Sequence, residues 1–292
     1  MKMRGHESFY LRRGWLQKGI KNIQKNDRIF NSKESNACDT LGIGANMVRS
    51  LKYWLIATGV AEEIYNDEGK KILVPSKIGK TIDKYDKFYE ELGTNMLVHY
   101  KLVSNEEDAT AWYWLFNEYE GNVIDKEIFE RELKDYFKMK YGKEVLTGYD
   151  EEFNCIIKTY IQSEKDEDPE ETKISPLSEL GLLSITDSKK KEYRKNSLSV
   201  NDIHPLIAFA IICDMARNET ELSVDDICNK KCGLGKTFNL TRTTVIGLLD
   251  ILAKRGYVKL TRTAGLDVIN ILKSMSSIEA ITMYYKELNG ER

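Results

Sequence analysis

The chain has 292 residues, enough for two or three domains with a sizeable core, and a net charge of −2. Three histidines exclude a histidine-rich metal centre, and no apolar run is long enough to span a bilayer. The opening MKMRGHESF has no signal-peptide core, so a cytoplasmic protein is expected.

The small net charge hides segregation. Residues 1–60 carry +7, residues 61–180 carry −13 and residues 181–292 carry +4. Two basic ends around an acidic middle fit phosphate-binding ends held by a non-binding core. The cysteines, Cys38, Cys155, Cys213, Cys228 and Cys232, are odd in number and scattered, as reduced thiols are. Cys228 and Cys232 have helical spacing, but a zinc site wants more ligands nearby, and structural thiols are the preferred reading.

Leu11 to Asn26 places Leu11, Trp15, Leu16, Ile20 and Ile23 on one helical stripe with a basic outer face bearing Arg12 and Arg13. Asn31 or Ser32 is the expected cap of a short helix through Leu41, and Gly42 and Gly44 make a turn. A recognition helix then runs from Ala45 or Asn46 to Thr58. Its expected exposed stripe is Asn46, Ser50, Tyr53 and Ala57, flanked by Arg49 and Lys52. Asn46 suits adenine and Arg49 suits guanine or phosphate, and both equally suit solvated helix positions. Ile64 to Val74 reads as a hairpin around Asn66–Gly69, a wing carrying Lys70 and Lys71.

From Asp83 to Gln162 the pattern is helical. Trp112, Trp114, Phe116 and Tyr119 are read as core rather than a stacking platform. The acidic runs 106–108 and 150–152 are read as solvated or helix-N-terminal charge rather than metal ligands. Residues 163–172, SEKDEDPEET, form a charged linker. Two strands follow, 182–186 and 192–198, with a basic run from Lys189 to Lys195.

His204 to Ala216 is an apolar helix with Pro205 in its first turn. Ser223 caps a helix through Lys230, and Gly233 and Gly235 mark a turn. Thr241 caps a second recognition helix that Gly256 ends. Its outward stripe is Thr243, Gly247, Asp250 and Lys254, and Gly247 is expected to let DNA approach closely. Thr241, Arg242 and Thr243 crowd the helix N-terminus, where phosphates and base edges are met. Tyr257 to Thr263 and Leu266 to Ile271 form a wing with Lys259 and Arg262. Aligned on Gly59 and Gly256, Val48, Leu51 and Leu55 fall on Val245, Leu248 and Leu252, one apolar stripe repeated.

The expected fold is mainly α (α+β), two winged helix-turn-helix domains flanking a helical middle. Its divisions are 1–82 for the first winged helix, 83–165 for the middle, 166–200 for linker and short strands, and 201–292 for the second. The expected partner is double-stranded DNA, no membrane is expected, and a homodimer is open. His6 and Glu7 form the one adjacent His/Glu pair, read either as a base and metal ligand or, preferably, as an anchor of the N-terminus. No PD-(D/E)xK or HNH run occurs, so catalytic and metal-binding residues are unassigned.

GHESFYLRRGWLQKG at Gly5–Gly19, NMVRSLKYWLIATG at Asn46–Gly59 and SPLSELGLL at Ser175–Leu183 resemble the bacterial domain-of-unknown-function family DUF4007. The resemblance implies a protein of a DNA phosphorothioation operon, working beside a cysteine desulfurase, an ATPase and a sulfotransferase-like ATP pyrophosphatase. It further implies DNA binding, with strand nicking open. A nickase implies a divalent metal, Mg²⁺ or Mn²⁺; otherwise no cofactor is expected. The alternatives are a non-enzymatic winged-helix transcriptional regulator and a scaffold that binds protein partners.

Overall fold

In the computed structural model the described residues are 3–31, 36–142, 145–162, 174–217, 219–263 and 266–291, with Thr263 and Leu266 described in backbone only. The expected linker at 163–172 and the alternative cap Ser32 lie outside them. The class is α+β, mainly helical, with three small antiparallel sheets among the described residues. The chain divides into two compact units, Met1–Lys195 and Asn196–Arg292.

The N-terminal unit begins with a non-helical strap through Arg13. Gly14, in the left-handed region at φ 77°, sets the start of α1, Trp15–Ile23. The helix is therefore shorter than the apolar stripe from Leu11 suggests, although Leu11 is itself buried. Trp15, Leu16, Gly19, Ile20 and Ile23 face inward. A short α2, Ala37–Leu41, ends at left-handed Gly42, and Gly44 precedes α3, Ala45–Ala57. Helices α1 and α3 meet at Gly19, where an added Cβ would stand 2.6 Å from Leu55 Cδ1. Only glycine permits that approach.

Helix α3 leads into strands β1, Ala61–Tyr65, and β2, Lys71–Pro75, paired from Ala61↔Pro75 to Tyr65↔Lys71. The turn between them is closed by Asn66, whose side chain accepts from the backbone N–H groups of Glu68 and Lys70. Ser76 caps α4, Lys77–Tyr85, by accepting from Gly79 N. Then come α5, Leu92–Ser104, buried almost throughout, and α6, Thr110–Tyr113, which runs into a π turn at Trp114–Glu118. Trp112, Trp114 and Phe116 lie in the core, as their spacing suggested.

Strand β3, Val123–Ile124, precedes α7, Lys126–Tyr141, and α8, Tyr149–Tyr160. Asp150, Glu151 and Glu152 occupy the first turn of α8, where the helix dipole favours them. A 3-10 turn at Pro176–Leu180 leads to β4, Leu183–Asp187, and β5, Glu192–Lys195. These strands form a sheet with β3 in the order β3-β5-β4. The middle segment thus contributes a strand that helical periodicity alone does not reveal, and β5 stops before the expected Leu198.

In the C-terminal unit, α9, Pro205–Ala216, is apolar on nearly every side and packs on α13, Ser277–Leu288. Between them lie β6, Glu221–Ser223, α10, Val224–Asn229, α11, Leu234–Phe238, and α12, Arg242–Lys254. Strands β7, Val258–Thr263, and β8, Leu266–Ile271, follow, and the sheet order is β6-β8-β7. Gly233 and Gly235, expected as a turn, instead flank and enter α11. A Cβ on Gly235 would stand 2.2 Å from the Cys228 carbonyl oxygen, so the glycine serves helix contact. Val245, Leu248 and Leu252 are fully buried, as are Leu51 and Leu55 of α3. In both units an amphipathic helix leads into an antiparallel hairpin.

Candidate nucleic-acid interface

Helix α3 presents a different face from the one its periodicity suggests. Ser50 and Ala57 are fully buried and Tyr53 is 3% exposed, so Ser50 and Tyr53 are not available to DNA. The exposed residues are Ala45, Asn46 and Arg49, with Met47, Val48, Lys52 and Ile56 half-buried. One residue of shift turns a helix face by about 100°. The cause is non-local. The strap and Trp112 close over the side of α3 that the pattern left open.

The strap is tightly held. His6 is fully buried, with its ring edge-on to Tyr53 at 6.0 Å and to Trp112 at 5.7 Å. Its Nδ1 accepts from Ser8 N, and its Nε2 lies 3.4 Å from Glu152 Oε1. Arg4 N also donates to that carboxylate. Phe9 O accepts from Trp54 Nε1 at 2.9 Å. Arg4, Glu7 and Ser8 all have positive φ, a conformation that non-glycine residues keep only when surroundings over-determine it. Glu7 points the other way from His6 and accepts from Arg49 Nε at 2.9 Å and from Arg49 Nη2 at 3.3 Å. The two side chains therefore do not converge as a base and a metal ligand.

Every cation expected on α3 and its hairpin has an internal carboxylate. Arg49 holds Glu7. Lys52, at 2.7 Å, and Lys71 share Glu63. Lys70 and Arg28 share Glu68 at 3.2 and 3.1 Å. The Arg49 hydrogen bond holds the Glu7 carboxyl below its ordinary range. Burial pushes Glu63 up, but hydrogen bonds from Lys52 and Lys71 outweigh it and keep it low. A cleft of about 700 Å³ beside α3 is lined by Arg49, Lys52 and Lys71 against Glu7, Glu63, Glu107 and Asp108. Its charge is mixed and nearly balanced.

The other side of the module is uniformly basic. A groove of about 790 Å³ runs along α1 to the turn between α2 and α3. Among the described residues it is lined by Arg12, Arg13, Lys18, Lys21 and Lys25 and by no carboxylate. The Arg12 guanidinium lies over the rings of Phe9, Tyr10 and Trp15 at 5.7, 5.6 and 5.5 Å. Arg13 is paired with Glu179. Lys18 Nζ donates to Leu41 O at 3.3 Å. Lys21 and Lys25 are exposed and have no ion-pair partner among the described residues. The sequence named Arg12 and Arg13 but missed the three lysines, although the basic outer face of this helix was legible.

In the C-terminal unit, Thr241 caps α12 by accepting from Thr244 N at 3.1 Å, and Thr243 is exposed beside it. Arg242 is paired with Asp225 and, at 2.9 Å, with Asp267. Arg262 holds Asp250 at 3.1 Å. Lys254 and Lys259 are exposed and line a cleft of about 630 Å³ with Leu260 and Leu272. Gly247 does not open the helix to DNA. A Cβ there would stand 2.8 Å from Val200 Cγ2, so the close approach is to the 3-10 turn Val200–Asp202 of this unit.

The five cysteines are free thiols, and burial pushes Cys213 up to about 12. Among the described residues no three His, Cys, Asp or Glu side chains come together as a metal site. The carboxylates of the α3 cleft are largely committed to cations, so no metal ligand is assigned. No helix among the described residues is long and apolar enough to cross a membrane.

A helix leading into an antiparallel hairpin in each unit, set in an α+β frame, defines the fold class. The chain belongs to the family described as "Protein of unknown function (DUF4007)", which it matches over residues 3–285. It is similar in fold to two solved structures, "Magnesium ion-bound SspB crystal structure" and "SspB crystal structure", with TM-scores of 0.85 and 0.84. Each is 21% identical to it, and the match covers 98% of this chain and 87% of that one. No curated protein matches.

Proposed function

We propose that this protein binds duplex DNA as a component of a phosphorothioation system, using two winged-helix modules, one in each unit. The observation that carries the reading is the helix leading into a hairpin, built twice, in the two ends of the chain where positive charge is concentrated. A hairpin beside a helix supplies the two elements that straddle a groove, and cations nearby meet phosphates. The fold shared with the SspB structures supports the system, and the magnesium in one of them supports a divalent-metal partner for any nicking reaction. Partners of the reading are other proteins of the same system and a second copy of this chain.

Pure protein incubated with supercoiled plasmid, with and without Mg²⁺ or Mn²⁺, tests it. Retarded plasmid at low salt is the expected result. Open circles that need the metal assign nicking. Retarded but intact supercoils assign the non-enzymatic regulator, and unretarded plasmid overturns DNA binding.

A further inference from the structure

We infer that the N-terminal unit grips the DNA phosphate backbone through the groove along α1, and that the exposed face of α3 does not read bases. The inference rests on the DNA-binding reading above and names its surface. Its first support is charge. Among the described residues the α1 groove is lined by five cations and no carboxylate, whereas the cleft beside α3 is lined by three cations and four carboxylates. An exposed ion pair is individually weak, at about 0–1 kcal/mol, so phosphate could loosen Arg49 from Glu7 at little cost. The carboxylate would stay within a few ångströms, however, and repel the same phosphate. The α3 face therefore supplies little net attraction, while the α1 groove, where only Arg13 is paired with a carboxylate among the described residues, keeps a net positive field.

The second support is spacing. Lys18 and Lys21 follow i, i+3 on one face of α1, and Lys25 stands in the turn just past its end, so the three follow one another along the groove. The third is the state of Arg12. Its guanidinium is fixed against three rings, and its buried Nε has no hydrogen-bond partner among the described residues. A planar donor fork held in place without a carboxylate suits a phosphate oxygen. Such contacts carry no sequence information, so this unit tracks the backbone of any duplex.

The test uses the full chain, two unrelated 20-base-pair duplexes and fluorescence anisotropy. Lys21→Gln with Lys25→Gln should weaken both duplexes equally, by at least about tenfold near 100 mM salt, and flatten the salt slope by about two. Both lysines are exposed, so the melting temperature should not change. Arg49→Gln should cost less than the α1 pair, and Lys138→Gln, on exposed α7, should change affinity less than about twofold, as a single distant surface charge does. Wild-type affinity in the α1 double variant, or a larger loss in Arg49→Gln, overturns the surface while leaving DNA binding standing. A loss confined to one duplex overturns backbone tracking. Failure of the wild type to bind either duplex overturns both readings. Tighter binding to phosphatidylserine vesicles than to DNA replaces the duplex with a membrane as occupant.

Discussion

His6 Nε2 stands 3.4 Å from Glu152 Oε1, two side chains 3% exposed or less, and this contact joins the N-terminal strap to α8 inside the core. It explains why His6 behaves as an anchor rather than as a reactive group: no substrate can reach it.

His6→Ala leaves the Glu152 carboxylate buried with one partner fewer. Leaving a buried carboxylate short of a partner costs about 3 kcal/mol or more. The melting temperature should fall by roughly 6 °C or more at about 2 °C per kcal/mol. Differential scanning calorimetry reads this directly. A melting temperature within a degree of the wild type contradicts the anchor.

Tyr53→Ala should act on stability, not on DNA contact. Removing a large buried aromatic costs about 3–5 kcal/mol. Urea denaturation should show the loss, and binding of the remaining folded fraction to a duplex should be nearly unchanged. A stable variant with weakened DNA binding would restore Tyr53 to the exposed stripe.

Acid should loosen the hairpin face of the N-terminal unit. Glu7 is held below the ordinary carboxylate range by Arg49, and Glu63 by Lys52 and Lys71 against its own burial. Their stabilisation is full above the unfolded value, about 4.5, and is lost as pH falls through the lower folded values. Glu7→Gln with Glu63→Gln should therefore be less stable than the wild type at pH 7, with the gap closing as the pH falls below about 4.5. Denaturant midpoints at several pH values check this. A gap that widens on acidification has the wrong sign.

Gly247→Ala should destabilise despite alanine's better helix propensity. The new methyl would sit 2.8 Å from Val200 Cγ2. Overpacking of this kind costs about 1–3 kcal/mol, against about 1 kcal/mol gained in the helix. Pairing it with Val200→Ala should recover stability in thermal melts. If Gly247→Ala alone stabilises the protein, the contact with Val200 is not tight.

The elements easiest to read in the sequence were those whose signals are local. Thr241 caps α12, Gly256 at φ 72° ends it, and Asn66 with Gly69 closes the first hairpin. What escaped was non-local. Strand β3 has two residues and gains its identity only by pairing with β5. The exposed face of α3 could not be read from its own periodicity, because His6 and Trp112, far apart in the chain, decide which side is covered. Pairing was equally invisible. Arg49 and Lys52 look like DNA contacts in sequence, and only the fold brings Glu7 and Glu63 to them. Lys18, Lys21 and Lys25 were in plain view, but as a basic outer face rather than one wall of a groove.

The central claim is that this protein holds duplex DNA mainly through phosphates, and the salt dependence of wild-type affinity tests it most directly. Anisotropy titrations of one duplex between about 50 and 200 mM salt should give log K falling linearly with log salt, with a slope of about −3.6 or steeper for four or more contacts. An affinity that does not change with salt, or no binding at about 50 mM, contradicts the account.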